Sequence, residues 1–187
     1  MNFKEIGIPT IVLVAICLVI TAVLAATYEA TKVTIAEGAI ARTNAMCEEI
    51  YPGATFDELE VPVDAAGIIK ILEAKTSGST EGYLFTSTSS GYGGYMEFLV
   101  AINTDGTVKS IRILSDNETP GLGKNAAEDF FTSQYYVKPD GDFTVVKSNK
   151  ATDTQILSLS GATITSKAVT DAVNSAYGCF KVVGGVI

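Results

Sequence analysis

The sequence contains no histidine and no tryptophan, and only three cysteines. Without histidine there is no His-ligated haem, no usual zinc site and no imidazole acid–base catalysis. Cys17, Cys47 and Cys179 are far apart and form no CxxC pair. An iron–sulfur cluster held by this chain alone is therefore not expected, and no metal-ligating set is assigned. Positive charge is also scarce. The 13 Lys and Arg are outweighed by 21 Asp and Glu, for a net charge of −8. No basic cluster exists, so nucleic acid is not an expected partner. No residue is assigned a catalytic role.

What is present begins with an apolar run. Ile6 to Ala26 carries no charged residue. As a helix it would rise about 31 Å, enough to cross a bilayer core. Pro9 falls in the first turn, where a helix tolerates it. The run exceeds the ~7–15 residues of a cleaved leader's apolar segment, so it reads as a permanent single-span anchor in lipid. It has no ionisable side chain and offers no ion path of its own. Lys4 favours the N-terminal end inside, but Glu5 and Lys32 blur the rule, so charge leaves the orientation open. Cys17 lies in this run and reads as a small hydrophobe. Cys47 and Cys179 read as free and buried, although sequence cannot give their separation.

Glu29 to Ile50 continues as an amphipathic helix. Val33, Ala36, Ile40, Cys47 and Ile50 recur on one face. That face is expected to pack against a sheet, and Pro52-Gly53 ends the helix. Gly67–Thr76 and Gly82–Thr86 read as strands joined by a turn at Ser77–Thr80. Ser87 to Gly94 is a polar tract that composition alone makes a flexible loop. Met96, Phe98, Val100 and Ile102 alternate as a half-buried strand requires. Thr104-Asp105-Gly106 turns into a partner strand, Val108–Leu114. Lys124–Gln134 reads as a short helix with Ala126, Ala127, Phe130 and Phe131 inward. Phe143–Lys147 and Gln155–Ser160 are short strands. Ser166 to Tyr177 closes the domain as a helix with Ala168, Val169, Ala172, Val173 and Ala176 apolar. An ordinary tail follows at Gly184-Gly185. The expected architecture is α+β: a mostly antiparallel sheet with packed helices after one transmembrane helix.

Three glycine-bearing loops stand out. The first is Ser160-Gly161-Ala162-Thr163, between a strand and a helix. It places Thr163 where free N–H groups and the positive dipole end favour an anion. A plain N-cap explains those residues equally well when taken alone. The second is Glu118-Thr119-Pro120-Gly121-Leu122-Gly123, and the third is Gly91-Tyr92-Gly93-Gly94. Leu122, apolar between two glycines, can press on an aromatic ring. Tyr92 is either part of a flexible loop or a face for ring stacking, and both readings stand. Three such loops in one short domain suggest a flat or phosphorylated ligand.

Together these motifs resemble the FMN-binding subunits of the Rnf and Nqr membrane complexes, the G subunits of Rnf first and the C subunits of Nqr second. The resemblance covers most of the chain. It implies an FMN cofactor held by a phosphoester to Thr163. Its pocket would be formed by Ser160, Gly161, Ala162, Glu118, Thr119, Pro120, Gly121, Leu122, Gly123, Tyr92 and Gly94. The implied role is electron transfer within a ferredoxin:NAD oxidoreductase that moves Na⁺ or H⁺, without turnover by this subunit alone. Other membrane and redox subunits are the implied partners, with a flavin transferase acting during maturation. The domain is implied to lie on the outer face of the cell membrane. The chain then divides into an anchor (1–28), an amphipathic helix and connector (29–66) and an FMN-binding domain (67–187). Two positions depart from the family pattern. Asp116 stands where members usually have His, and Leu157 where an acidic residue is frequent. Lys167 could approach a phosphate, but reads better as a solvated surface residue. Two other readings are a pilin-like filament protein, against which Asn2 replaces the required Gly, and an anchored sensor holding flavin non-covalently.

Overall fold

A computed structural model describes residues 3–184, with side chains from residue 6. Asn2 and the end of the tail at Gly185 lie outside the described residues. The chain separates into two compact units, Met1–Ala45 and Met46–Ile187.

The first unit is helical. It forms the bulk of α1, which runs Phe3–Ile50 with Pro9 near its start. The helix is long and apolar enough to cross a membrane. Thr10, Thr27 and Thr31 return their hydroxyls to carbonyls one turn back. These polar groups are thereby satisfied without water, as a lipid environment requires. The expected apolar face of residues 29–50 is not continuous. Val33 and Ile40 are exposed, whereas Cys47 and Ile50 are buried.

The second unit is an antiparallel five-stranded sheet in the order β1-β2-β3-β4-β5. The strands are β1 (Thr55–Leu59), β2 (Ile68–Thr76), β3 (Ser79–Ser90), β4 (Tyr95–Asn103) and β5 (Val108–Ser115). Every neighbour in the sheet is also the neighbour in sequence, so short turns suffice. β1 falls in the stretch read as a connector. It is an edge strand whose acids Asp57 and Glu58 pair with Lys75 and Lys70, and that composition hid it. Half of the tract read as a flexible loop is strand as well: Ser87–Ser90 extends β3 and pairs with Tyr95–Phe98.

Side-chain alternation divides β4 between two cores. Phe98, Val100 and Ile102 face one side, where they meet α3 (Thr163–Val183) through Val169, Ala172 and Val173. Leu99 and Ala101 face the other, where the last turn of α1 covers them with Cys47, Ile50 and Tyr51. Cys47 and Cys179 therefore belong to opposite faces, and both are free. Burial raises the Cys179 thiol above its ordinary range. In α3 the five positions read as apolar are all buried.

The stretch read as one helix over 124–134 is broken. Gly123–Ala127 and Ser133–Tyr135 are 3-10 turns flanking α2, Asp129–Thr132. Glu128 is extended, which resets the phase. Ala126 and Phe131 point in as expected, but Phe130 is 64% exposed and Ala127 is also exposed. A small parallel pair, β6 (Thr144–Val146) and β7 (Gln155–Leu157), completes the unit. Amide side chains hold it in place. Asn174 of α3 both donates to and accepts from the Phe143 backbone. Gln134 does the same for Leu157. β7 is thereby fixed just before the turn into α3.

The burial pattern sets an expectation for stability. Phe98→Ala should lower unfolding free energy by about 3–5 kcal/mol, as core Phe truncation does. Phe130→Ala should change it by no more than about 0.5 kcal/mol, as for an exposed side chain. Denaturant unfolding of the solubilised full chain, followed by near-UV circular dichroism, measures both.

Candidate functional site

The three glycine loops converge on one cavity of about 470 Å³, lined by Tyr92, Glu118, Thr119, Leu122, Gly123 and the segment Gly161–Thr165. The volume falls in the range of small-molecule sites, roughly 300–1,000 Å³. Each loop arrives by a different route. Residues 91–94 join β3 to β4, and the Gly91 N–H closes that turn on the Gly94 carbonyl at 2.8 Å. Residues 118–123 follow β5. Residues 158–162 lead from β7 into α3.

Glu118 ties these routes together. It is only 4% exposed. Its Oε1 accepts the Gly93 N–H at 3.0 Å, and its Oε2 accepts the Thr165 hydroxyl at 2.6 Å. Its own N–H is donated to Asp116 Oδ1 at 2.9 Å. Asp116 in turn pairs with Lys124 at 2.9 Å. The residue that departs from the family pattern thus holds the start of the 118–123 loop. Close packing around Glu118 accounts for the glycines opposite it. A Cβ on Gly123 would overlap the Glu118 carboxylate and come within 2.9 Å of Thr165 Oγ1. A Cβ on Gly93 would overlap the Asn117 carbonyl.

The hydroxyl groups of the last loop are sorted by their partners. Ser166 Oγ accepts the Leu159 N–H at 3.0 Å and donates to the Ala162 carbonyl at 2.9 Å. Thr165 is engaged by Glu118. Thr163, the first residue of α3, has its hydroxyl in no hydrogen bond among the described residues, and it lines the cavity. Ala162 caps the helix without a side-chain bond. The first N–H groups of α3 therefore lack intrahelical partners beside the cavity, a suitable seat for an anion.

Of the residues expected from sequence, Tyr92, Glu118, Thr119, Leu122, Gly123, Gly161, Ala162 and Thr163 meet at this cavity. Pro120 and Gly94 do not line it. Gly121 and Ser160 line a neighbouring cleft of about 440 Å³, with Phe130 and Leu157. Gly121 has φ +75° with open space around its α-carbon, so its role is conformational. Gly94, at φ +126°, serves the turn in the same way. Lys167 is exposed and does not line the cavity. Sequence reasoning did not place Ile164 in the pocket and considered Thr165 only as the other hydroxyl for attachment. The signal for Thr165 was its place two residues into the helix on the cavity side.

These features agree with what is found in known proteins. A family model described as "FMN-binding domain" matches residues 91–178. The G subunit of the Na(+)-translocating ferredoxin:NAD(+) oxidoreductase complex of Acetobacterium woodii is 32% identical over 181 residues, covering 88% of this chain and 86% of the relative. The G subunit of the ion-translocating oxidoreductase complex of Methanosarcina acetivorans is 30% identical, covering 92% and 93%. The chain belongs to this G-subunit family. The G subunit of the proton-translocating ferredoxin:NAD(+) oxidoreductase complex of Clostridium ljungdahlii is 47% identical over 103 residues, a match that spans 55% of each chain. Among solved structures, NqrC of Shewanella oneidensis aligns with a TM-score of 0.51 at 16% identity, covering 69% of this chain and 72% of that one. That likeness is one of fold.

The residues present fit FMN. The start of α3 suits its phosphate, and Leu122, Ile164 and Tyr92 give apolar wall for its ring. The packing yields a graded prediction for two glycines. Gly123→Ala forces a methyl into Glu118 and should lower stability by about 1–3 kcal/mol, the range for overpacking. Gly121→Ala meets no atom and should lose only about 1–2 kcal/mol to its left-handed backbone. Gly123→Ala should also reduce flavin occupancy more strongly, which thermal unfolding and the flavin-to-protein absorbance ratio would reveal together.

Proposed function

We propose that this chain is the flavin-carrying electron-transfer subunit of an ion-translocating ferredoxin:NAD(+) oxidoreductase complex. The FMN would be joined through its phosphate to the Thr163 hydroxyl. The observation that carries this reading is the convergence of three loops on a cavity where Thr163 stands unpaired at the start of α3. Membership of the G-subunit family and the FMN-binding domain match support it.

When bound, FMN supplies exchange of one or two electrons between carriers. The chain's own residues hold and shield it. The amino end of α3 would meet the phosphate charge, the Thr163 oxygen would be the ester oxygen once FMN is transferred from FAD with release of AMP, and the loops would enclose the ring. The chain lacks histidine, and its motifs include no nicotinamide-binding glycine motif. It relays electrons and turns over no substrate by itself. Other membrane and redox subunits of the complex are its partners, and a flavin transferase loads it. The apolar part of α1 anchors it in lipid, with the following domain on the outer face of the cell membrane. The remainder of α1 continues from the anchor and connects it to the FMN-binding domain. A covalent tether keeps the cofactor from diluting into the medium there. Family membership sets aside the pilin-like reading. The non-covalent sensor reading is separated by experiment.

Denatured wild-type protein should keep its flavin fluorescence through gel electrophoresis, whereas Thr163→Val should lose it. Flavin released from the wild type on denaturation would favour the sensor. Within the complex, Thr163→Val should stop ferredoxin-to-NAD electron flow while NADH oxidation by artificial acceptors continues. Full ferredoxin-to-NAD activity in the flavin-free complex would take this FMN off the path.

Topology is tested separately. Asp105 sits on the exposed β4–β5 turn. A Cys placed there (Asp105→Cys) should react with an impermeant thiol reagent in intact cells, after removal of any outer membrane. Reaction only after lysis would place the domain inside.

A further inference from the structure

Flavin attachment and electron relay leave one buried carboxylate without a task. Glu118 is buried, and its hydrogen-bonding neighbours are loop and helix groups rather than cations. None of the ion pairs among the described residues includes it. A carboxylate taken out of water without a cation is held by hydrogen bonds to its oxygens, and each such bond to a charged acceptor is strong. Here the two donors come from different loops: Gly93 N–H from the β3–β4 turn, and Thr165 Oγ1–H from the first turn of α3. The third loop contributes Glu118 itself. Thr165 is 1% exposed, so its hydroxyl has no solvent alternative to this partner.

We propose that Glu118 and Thr165 form a positioning pair that sets the three loops in register and leaves Thr163 as the hydroxyl presented to the cavity. The pair acts through geometry. With Oε2 holding Thr165 and Ser166 turned back to Ala162, the first turn of α3 has one rotational setting. In that setting Thr163 lines the cavity with its hydroxyl free of protein partners among the described residues, whereas the Thr165 hydroxyl, also at the cavity, is held by Glu118. The inference rests on FMN attachment at Thr163 and adds the residues that make that site selective.

The test uses the full chain, produced together with a flavin transferase in limiting amount. The readouts are mass spectrometry of the Ser160–Ser166 peptide and the visible circular dichroism of the bound flavin. Thr165→Ser keeps the hydroxyl and should label at Thr163 at the wild-type rate, with an unchanged flavin spectrum. Thr165→Val is close in shape but leaves Glu118 Oε2 unmet, and labelling should slow about tenfold or more. Glu118→Ala should slow it by a similar factor. The double variant Glu118→Ala/Thr165→Val should be no slower than the slower single variant, because the two act as one unit. A merely structural role would instead lower thermal stability in the Thr165→Val and Glu118→Ala proteins while leaving the labelling rate per folded chain unchanged.

The inference is overturned if Thr165→Ser and Thr165→Val label alike, or if the double variant shows the product of the two single effects. Thr165→Val serves as the decisive arm should Glu118→Ala fail to fold. Attachment at Thr165 in the wild type would overturn both the functional reading and this inference. Attachment at Thr163 with equal rates in all variants would overturn the inference alone.

Discussion

Taking a carboxylate out of water requires that its oxygens find donors, and in this domain the donors belong to loops that are distant in sequence. Gly93 precedes Glu118 by 25 residues and Thr165 follows it by 47. Once Glu118 is buried, the β3–β4 turn must approach it with a bare backbone and α3 must begin with a hydroxyl pointing at it. The glycines at 93 and 123 follow from the same requirement, since a methyl at either would displace Asn117 or Glu118. The cavity is what remains between loops drawn to a common centre.

The rest of the unit gives that centre a fixed frame. The sheet presents two faces, and α3 covers the one that leads to the cavity. Phe131, Tyr135 and Phe143 meet edge to face with centroids 5.8 and 5.2 Å apart, and the Tyr135 hydroxyl lies 2.7 Å from Thr170 of α3. Burial pushes that phenol well above its usual range, so it remains neutral. Packing of this kind fixes the axial position of α3 and with it the height of Thr163 above the sheet. Gln134 and Asn174 act as short substitute strands, and they bring the chain into α3 from a constant direction.

Much of this could be read from the residues in order. The apolar positions of α3 repeat at helical spacing and were legible. β4 was legible as a strand, but it reads as half-buried and is buried on both faces, because Leu99 and Ala101 fill a second core. The ends of elements were less so. Ser87 is fully buried in β3, yet a run of hydroxyl residues resembles a loop. β1 was hidden because its acids answer lysines on β2, a pairing visible only across strands. The segment after Gly123 kept a helical pattern in composition, but extended Glu128 breaks it and turns Phe130 outward. At the site, the motifs disclosed which loops matter. They did not disclose the bond between Thr165 and Glu118 or the central place of Glu118, because hydrogen bonds between residues so far apart leave no local periodicity.

The position of Thr163 at the head of α3 has a mechanical consequence. Flexible arms in redox proteins carry a bound group from one station to another. A group esterified to Thr163 would instead be bolted to a 21-residue helix whose buried side fills the main core. It could not swing without dissolving that core. Electrons must then reach it through proximity of neighbouring subunits or through displacement of the whole folded unit, and the distance to each neighbour is set by protein docking rather than by cofactor motion.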